Sequence, residues 1–342
     1  MRPCKRGGAS SDTTRSKDAI LAICLVEKSI CLMYLNDLSA GTRNAVTYRV
    51  FGLTVVSELT LPELPLAHGN ADVYIRYGKV PLDLDNVLFR QENCQIGPSQ
   101  LLLNVPAAGR FHVENGKNIT VEPAAAADEK TVRLFLLGTA FGALLMQRGI
   151  LPIHGSAIAL DGRGIIFTGA SGVGKSSLLA AFRQQGAKFL TDDVAAVSFE
   201  ADGAPWLSPA YPQQKLWRDS AEAMGLNIDG HARVLPDMDK YALPSAAGFC
   251  STAVPLVAIC ELQPTPCADV SIHPLDKGDT LSILIQNTYR PWLVRGLGLK
   301  PQHFRQCVEL CARIRGLRLI RTSGTFSLAE QMRVVRAQMD IA

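Results

Sequence analysis

The middle of the chain contains a nine-residue stretch, GASGVGKSS (169–177), with three glycines, one lysine and three serines between two apolar runs. This composition favours neither a helix nor a strand over its full length. Glycines allow backbone N–H groups to point into one concavity, and the start of a following helix adds unpaired N–H groups and a partial positive charge. The stretch therefore predicts a binding site for an anion, and for phosphate in particular.

The flanking residues strengthen this interpretation. An apolar strand-like run, GIIFTG (164–169), precedes the stretch, and a helical pattern, KSSLLAAFRQQ (175–185), follows it. Strand, G-x-x-x-x-G-K-[ST] and helix together form the context of a nucleotide-phosphate loop, in which Lys175 would neutralise the β- and γ-phosphates and Ser176 would coordinate Mg²⁺. The alternative is a turn that is glycine-rich for packing only. The predicted cradle consists of Gly169, Ala170, Ser171, Gly172, Val173, Gly174, Lys175, Ser176 and Ser177.

Two neighbouring acids, Asp192 and Asp193, end the next apolar strand pattern and should emerge beside this loop. One carboxylate could hold Mg²⁺ and the other could orient and deprotonate an attacking hydroxyl, as phosphoryl transfer requires. A polar turn is the alternative. His154 lies in an apolar run that we expect to pair with the strand of the loop; it is either a functional group or an ordinary core histidine.

Composition limits the class of protein. The chain has 342 residues, 47% hydrophobic and 19% charged, with a net charge of +4, which fits a folded protein and does not require a nucleic-acid partner. Its nine cysteines form no C-x-x-C pair, which favours a reducing, cytoplasmic location without zinc. Glu27 and Lys28 divide the apolar run 19–35 into pieces too short for a bilayer, so we expect no membrane attachment.

Three parts are predicted along the chain. Residues 1–45 are an extension that the fold does not need, with Met33 as an alternative start. Residues 46–127 form a small β-rich domain that includes a hairpin around Asn115-Gly116. Residues 128–342 form an α/β catalytic domain that begins with a buried helix capped by Asp128. Within it, PQQKLWRDSAEAMG (212–225) is predicted as a helix.

Together, His154-Gly155, the loop Gly169–Ser176 and Asp192-Asp193 have the mutual spacings of the catalytic domain of HPr kinase/phosphorylase, and the chain resembles that family over about 40 residues. The resemblance implies a phosphoenolpyruvate-carboxykinase-like P-loop domain with a mixed sheet, preceded by the β-rich domain. It also implies ATP and Mg²⁺ as cofactors and transfer to a serine hydroxyl of a protein. Asp192 would be the base, His154 would assist it, and Asp193 would lie near the metal.

The sequence departs from that family at two points. Ser177 stands where the family has an acidic residue, and the family's Leu-Glu-Ile-Arg-Gly phosphorylase signature is absent, so neither phosphorolysis nor HPr itself is expected. The segments YRVFGLTVVSELTLPEL (48–64) and NTYRP (287–291) resemble the HPr-kinase-like proteins encoded with lasso-peptide biosynthesis genes. Those proteins phosphorylate the C-terminal serine of a precursor peptide.

The leading hypothesis is an ATP-dependent serine kinase that acts on a peptide or small protein. Lys215 and Arg290 are candidates to stabilise the transferred phosphoryl group or an acidic substrate end, and each could equally be an ordinary surface cation. A kinase of free serine or a sugar would use the same site. A nucleotide-sensing module with little turnover is a third hypothesis. The sequence leaves a homo-oligomer open.

Overall fold

Alternating apolar and polar residues build a first sheet of eight strands. The computed structural model describes residues 45–235, 237–266 and 269–340. The strands are β1 (Val46–Val50), β2 (Leu53–Ser57), β3 (Val73–Tyr77), β4 (Phe89–Gln91), β5 (Cys94–Gly97), β6 (Gln100–Val105), β7 (Gly109–Glu114) and β8 (Asn118–Pro123), in the order β1-β2-β3-β8-β7-β6-β5-β4. The predicted hairpin is confirmed: Asn115 and Gly116 join β7 to β8 with φ of 53° and 62°.

The predicted buried helix follows this sheet and contains a π-helical turn. Its parts are α1 (Glu129–Phe135), the π-helical turn (Leu136–Ala140) and α2 (Phe141–Gln147). Asp128 caps α1 as predicted, because its side chain accepts a hydrogen bond from the backbone N of Thr131 at 2.9 Å. Phe141 and Leu144 are fully buried, so the helix covers the core rather than facing solvent.

A second sheet of nine strands mixes parallel and antiparallel pairs. Its strands are β9 (Leu151–His154), β10 (Ser156–Leu160), β11 (Arg163–Thr168), β12 (Lys188–Thr191), β13 (Val194–Phe199), β14 (Pro205–Ser208), β17 (Val254–Thr265), β18 (Ser271–Pro274) and β19 (Arg315–Thr322). The central strand β17 runs parallel to both β11 and β19. A separate two-stranded ribbon pairs β15 (Gln213–Trp217) with β16 (Lys240–Pro244). The predicted α/β class with a mixed sheet is confirmed.

Helices cover both faces of the second sheet. They are α3 (Lys175–Gln184), α4 (Arg218–Ala223), α5 (Lys277–Gln286), α6 (Pro291–Gly296), α7 (Lys300–Arg313) and α8 (Leu328–Asp340). Phe167 of β11 packs with Phe182 of α3, and the adjacent Ile166 belongs to the core on the opposite face with α7. This alternation is expected for a strand buried on both sides.

Two predictions about local structure were wrong. The first half of 212–225 is strand β15, because Gln214 and Leu216 are buried in alternation and the chain pairs with β16. The run 151–160 is two strands rather than one: β9 pairs with β13, while β10 pairs with β11. They separate at Gly155, where the backbone passes so close to Phe167 that a Cβ would lie 2.6 Å from its carbonyl oxygen.

Val46–Ala342 forms one compact unit. One core joins the first sheet to the helix after it and to the second sheet, since Val50, Phe141 and Val194 share a cluster. The domain boundary at 127/128 therefore stays a prediction. The predicted extension and the alternative start at Met33 lie outside the described residues. No helix in the described part of the chain is long and apolar enough to cross a membrane.

Candidate active site

The glycine-rich loop (169–177) leaves β11 after Thr168 and enters α3 at Lys175. Gly169, Gly172 and Gly174 have φ of +128°, +83° and +97°, which L side chains rarely adopt. Helix α3 has no side-chain cap, because its N-cap residue is Gly174. The first N–H groups of α3 therefore lack both an intrahelical and a side-chain acceptor.

Lys175 turns back over the loop and is only 8% exposed. Its Nζ donates hydrogen bonds to the carbonyl oxygens of Gly169 and Ala170, both at 2.9 Å. Burial, followed by the charge of Lys240, lowers the pKa of Lys175. Ala170, Ser171 and Gly172 are exposed beside it, whereas Val173 and Ser177 are buried. A Cβ on Gly172 would meet nothing within 4 Å, so the space over the loop is open.

Asp192 lies just beyond β12 and is held by two donors. The hydroxyl of Ser156 donates to Oδ1 at 2.8 Å, and the backbone N of Lys215 donates to Oδ2 at 2.7 Å. Burial raises the pKa of Asp192, although these bonds and the nearby hydroxyl of Ser176 act to lower it. The residue before Lys215, Gln214, donates from Nε2 to the carbonyl oxygen of Ser176 at 2.7 Å. Strand β15 therefore ties the acidic pair to the start of α3.

Asp193 points toward two different partners. Its Oδ2 lies 3.1 Å from Nζ of Lys215, and its Oδ1 lies 3.5 Å from Nδ1 of His154. Burial disfavours the charge on Asp193, but the ammonium of Lys215 and the bond from His154 outweigh it, so the pKa of Asp193 is lowered. Burial likewise opposes the charge of Lys215, and the attraction of Asp193 raises the pKa of Lys215 above its ordinary value. The pair is therefore ionised near neutral pH.

His154 ends β9, where it pairs with Val194, rather than lying on the strand that pairs with the strand of the loop. That prediction was wrong because the chain switches partners at Gly155. The ring of His154 contacts Asp193, not Asp192, and its centroid lies 6.2 Å from that of Tyr289. His154 thus lies beside Asp193, the carboxylate that is paired with the ammonium of Lys215.

Arg290 lies at the edge of the cluster formed by Asp193, Lys215 and His154, where it contacts Tyr289. The guanidinium of Arg290 lies 5.5 Å from the centre of the Tyr289 ring, and its backbone is left-handed with φ of 49°. Tyr289 is buried, and burial, together with the charge of Asp193, raises its pKa to about 12. The structure therefore brings Asp192, Asp193, His154 and Lys215 into direct contact, while the exposed Arg290 lies at the edge.

Sequence reasoning missed several supporting residues. Gln214 is fully buried and donates from Nε2 to the carbonyl oxygen of Ser176 at 2.7 Å. Arg321 donates to the carbonyl oxygen of Val173 at 2.8 Å from the neighbouring strand β19. Lys240 of β16 acts electrostatically on both Lys175 and Asp192. No local motif marks these residues, because strand pairing across long stretches of sequence brings them to the loop.

Two adjoining recesses lead away from the carboxylates. The first is bordered by Asp192 and Asp193 and has a free volume of only about 10 Å³. The second has a free volume of about 40 Å³ and reaches Glu63 and Arg133, which form an ion pair at 2.8 Å. Both share the same four wall residues, Leu137, Tyr211, Gln213 and Lys215. The two small recesses therefore adjoin, one at the acidic pair and the other at helix α1.

Among the described residues, no group of three or more His, Cys, Asp or Glu side chains could hold a metal ion. Ser176 and the two aspartates supply oxygen donors only. This donor set suits a cation such as Mg²⁺ that takes its remaining ligands from phosphate oxygens and water.

The comparisons with known proteins give likenesses to solved structures only. No family model matches the chain, and no curated protein does. Among solved structures, the chain is similar to the Hpr(Ser) kinase/phosphatase from Coxiella burnetii, with 14% identity and a TM-score of 0.32, over 55% of this chain and 90% of that chain. This likeness is too low to support an argument about the site, which depends on the geometry above.

Proposed function

We propose that this protein is an ATP-dependent kinase that transfers the γ-phosphoryl group to a serine hydroxyl of a peptide or small protein in the cytoplasm. One observation carries the proposal: adjacent residues of β15 bind both parts of the site, since Gln214 donates to the carbonyl oxygen of Ser176 at 2.7 Å and the backbone N of Lys215 donates to Asp192 at 2.7 Å. The start of α3 and the acidic pair therefore lie side by side. Phosphoryl transfer needs charge neutralisation on one side of the phosphorus and a positioned hydroxyl on the other.

The residues of the loop fit a nucleotide triphosphate. The uncapped start of α3 and the open space above Gly172 suit an anion with several oxygens. Among the described residues, Nζ of Lys175 donates only to the backbone carbonyls of Gly169 and Ala170, and its ammonium would exchange them for the β- and γ-phosphates. Mg²⁺ bound between Ser176 and Asp193 would neutralise the phosphate charge.

The two carboxylates divide the remaining roles in this proposal. Asp192 acts as the base that orients and deprotonates the acceptor hydroxyl, as the family resemblance implies. Asp193, paired with Lys215 and His154, stays ionised and faces the metal. Since His154 touches Asp193, it supports the base only indirectly, by fixing the carboxylate next to it.

The eight-stranded sheet supports a polymeric acceptor, because a free metabolite does not require a separate docking surface. An extended peptide could present its serine to Asp192 while its neighbouring residues contact that sheet. Following the lasso-peptide resemblance, we propose a precursor peptide with a C-terminal serine as the acceptor class.

Mass spectrometry of candidate peptides after incubation with the protein, ATP and Mg²⁺ tests this function. The expected result is the addition of phosphate to serine by the wild type and none by Lys175→Ala. A panel of free serine and sugars, assayed with labelled ATP, distinguishes the small-molecule kinase. Tight ATP binding without transfer to any acceptor would favour the nucleotide-sensing module and contradict the kinase proposal.

A further inference from the structure

The ribbon β15–β16 contains a lysine, Lys240, that has no carboxylate partner among the described residues. Lys240 begins β16 directly opposite Trp217, and its Nζ lies 6.0 Å from the centre of the Trp217 ring. No Asp or Glu among the described residues lies within ion-pair distance of Lys240, although the side chain is half-buried. A partly exposed ammonium that is bound to no carboxylate is available to an anionic ligand.

Neighbouring cations of the ribbon are paired differently. Asp239, the residue before Lys240, binds Arg218 at 3.0 Å and Arg233 at 3.3 Å. Lys215 is bound to Asp193 at 3.1 Å. Asp239 and Asp193 are therefore already paired with other cations, and Lys240 contacts an aromatic face instead.

The register of the ribbon places Lys240 near the glycine-rich loop. Lys240 and Lys215 lie on the same face of the ribbon, and from this face Lys215 reaches the acidic pair. The ribbon is joined to the loop by the bond from Gln214 to the carbonyl oxygen of Ser176 at 2.7 Å. In keeping with this position, the charge of Lys240 adds to burial in lowering the pKa of Lys175. An anion with several negative charges could bind both ammonium groups.

We propose that Lys240 contacts the terminal phosphate of a bound nucleoside triphosphate, opposite Lys175. This inference rests on the nucleotide-binding site of the proposed function. Lys175 would then hold the phosphate chain from the loop, and Lys240 would hold its end from the ribbon. A contact of this kind stabilises charge on the transferring group, which is the main protein contribution in phosphoryl transfer.

The two cations suggested by the sequence are less suited to this role. The ammonium of Lys215 is engaged with Asp193, so a phosphate would have to compete with a carboxylate already in contact. Arg290 is exposed and lies over Tyr289, at the His154 side of the acidic pair. Lys240 lies on the same face of the ribbon as Lys215 but has no carboxylate at ion-pair distance among the described residues, so its ammonium can bind a γ-phosphate without competition.

Calorimetric titration with Mg²⁺ and either ADP or AMP-PNP, a non-hydrolysable triphosphate, tests the proposal without turnover. Lys240→Ala should weaken AMP-PNP binding about tenfold and ADP binding less than twofold, since one charge-assisted contact to the terminal phosphate is lost. Lys240→Arg should retain most of the preference for the triphosphate. Lys188→Ala, which removes an exposed lysine of β12, is the matched control and should bind both nucleotides like the wild type.

Three other results would each overturn the inference about Lys240. If wild type binds both nucleotides and Lys240→Ala keeps the full preference for AMP-PNP, the role of Lys240 is wrong and the proposed function stands. An equal loss for both nucleotides with a lowered Tm would mean that Lys240 only supports the ribbon, which also overturns the inference. If wild type binds neither nucleotide, the proposed function fails and the inference fails with it.

Discussion

The ammonium of Lys215 lies 3.1 Å from the carboxylate of Asp193 in a largely enclosed part of the site, where Lys215 is 12% exposed. The backbone N of the same lysine donates to Asp192 at 2.7 Å. One residue of strand β15 therefore fixes both carboxylates, and it does so because the strand lies beside the bend between β12 and β13. Lys215 thus holds both aspartates in position, whether or not it also contacts the substrate.

Lys215→Met should lower the free energy of unfolding by about 2 kcal/mol. Breaking a fully buried ion pair typically costs about 3–5 kcal/mol, and the effect is smaller here because Asp193 is 33% exposed. Chemical denaturation measures the change. The double variant Lys215→Met with Asp193→Asn should be less destabilised than the sum of the single variants. Strict additivity would contradict a direct coupling between the two side chains.

Asp192→Asn should reduce phosphate transfer by about 10²–10⁴-fold while leaving the affinity for ATP nearly unchanged, because the amide cannot accept the proton of the acceptor. Asp193→Asn should instead raise the Mg²⁺ concentration required for half-maximal activity. Initial rates at varied Mg²⁺, with nucleotide Kd measured separately, distinguish the two variants. The reverse pattern would exchange the roles of the carboxylates, and a wild-type rate for Asp192→Asn would rule it out as the base.

Gly172→Ala should weaken nucleotide binding beyond its effect on stability. Gly172 and Gly186 have nearly the same φ, +83° and +84°, and in both a Cβ would meet nothing within 4 Å. An alanine at either position should therefore cost about 1–2 kcal/mol of backbone strain. Only Gly172 lies within the proposed phosphate-binding loop. Gly186→Ala is the matched control, and equal nucleotide affinity for both variants would contradict a phosphate site at Gly172.

Asp128→Ala should destabilise the protein by about 1 kcal/mol at pH 7, because α1 loses its N-cap. Hydrogen bonds from the hydroxyl and the backbone N of Thr131 lower the pKa of Asp128 in the folded protein. A carboxyl with a lowered folded pKa stabilises above its unfolded value of about 3.9, and this stabilisation is lost as pH falls below it. The difference between wild type and Asp128→Ala should therefore shrink below about pH 4.

Asp128→Asn is the control for this pH dependence. Asparagine caps helices as well as aspartate does but does not titrate, so this variant should remain close to wild type in stability at pH 7. Its contribution should then stay constant as the pH is lowered. A gap between wild type and Asp128→Ala that is the same at pH 7 and at pH 3 would contradict the role of the charged cap.

Elements with strong local signals could be predicted from the sequence. The glycine-rich loop between β11 and α3, the turn at Asn115-Gly116 and the cap at Asp128 each depend on residues within a few positions of one another. The π-helical turn at Leu136–Ala140 could not be predicted, because the helix there is apolar on all sides and lacks a polar face that would set its register.

The errors fall where distant pairing decides local structure. QQKLW (213–217) has helix-compatible residues, yet it becomes β15 because β16, more than 20 residues later, offers a partner. His154 could be placed near the acids only by assuming an uninterrupted strand, whereas Gly155 lets β9 and β10 join different neighbours. The contact between His154 and Asp193, and the position of Lys240, follow from that tertiary arrangement.

A crystal structure of the protein with Mg²⁺ and AMP-PNP tests the central claim most directly. The account predicts phosphate oxygens on the first N–H groups of α3, with Nζ of Lys175 moved from the carbonyls of Gly169 and Ala170 to the β- and γ-phosphates. The terminal phosphorus should face Asp192. A nucleotide bound elsewhere, with Lys175 still bonded to its own loop, would contradict the account.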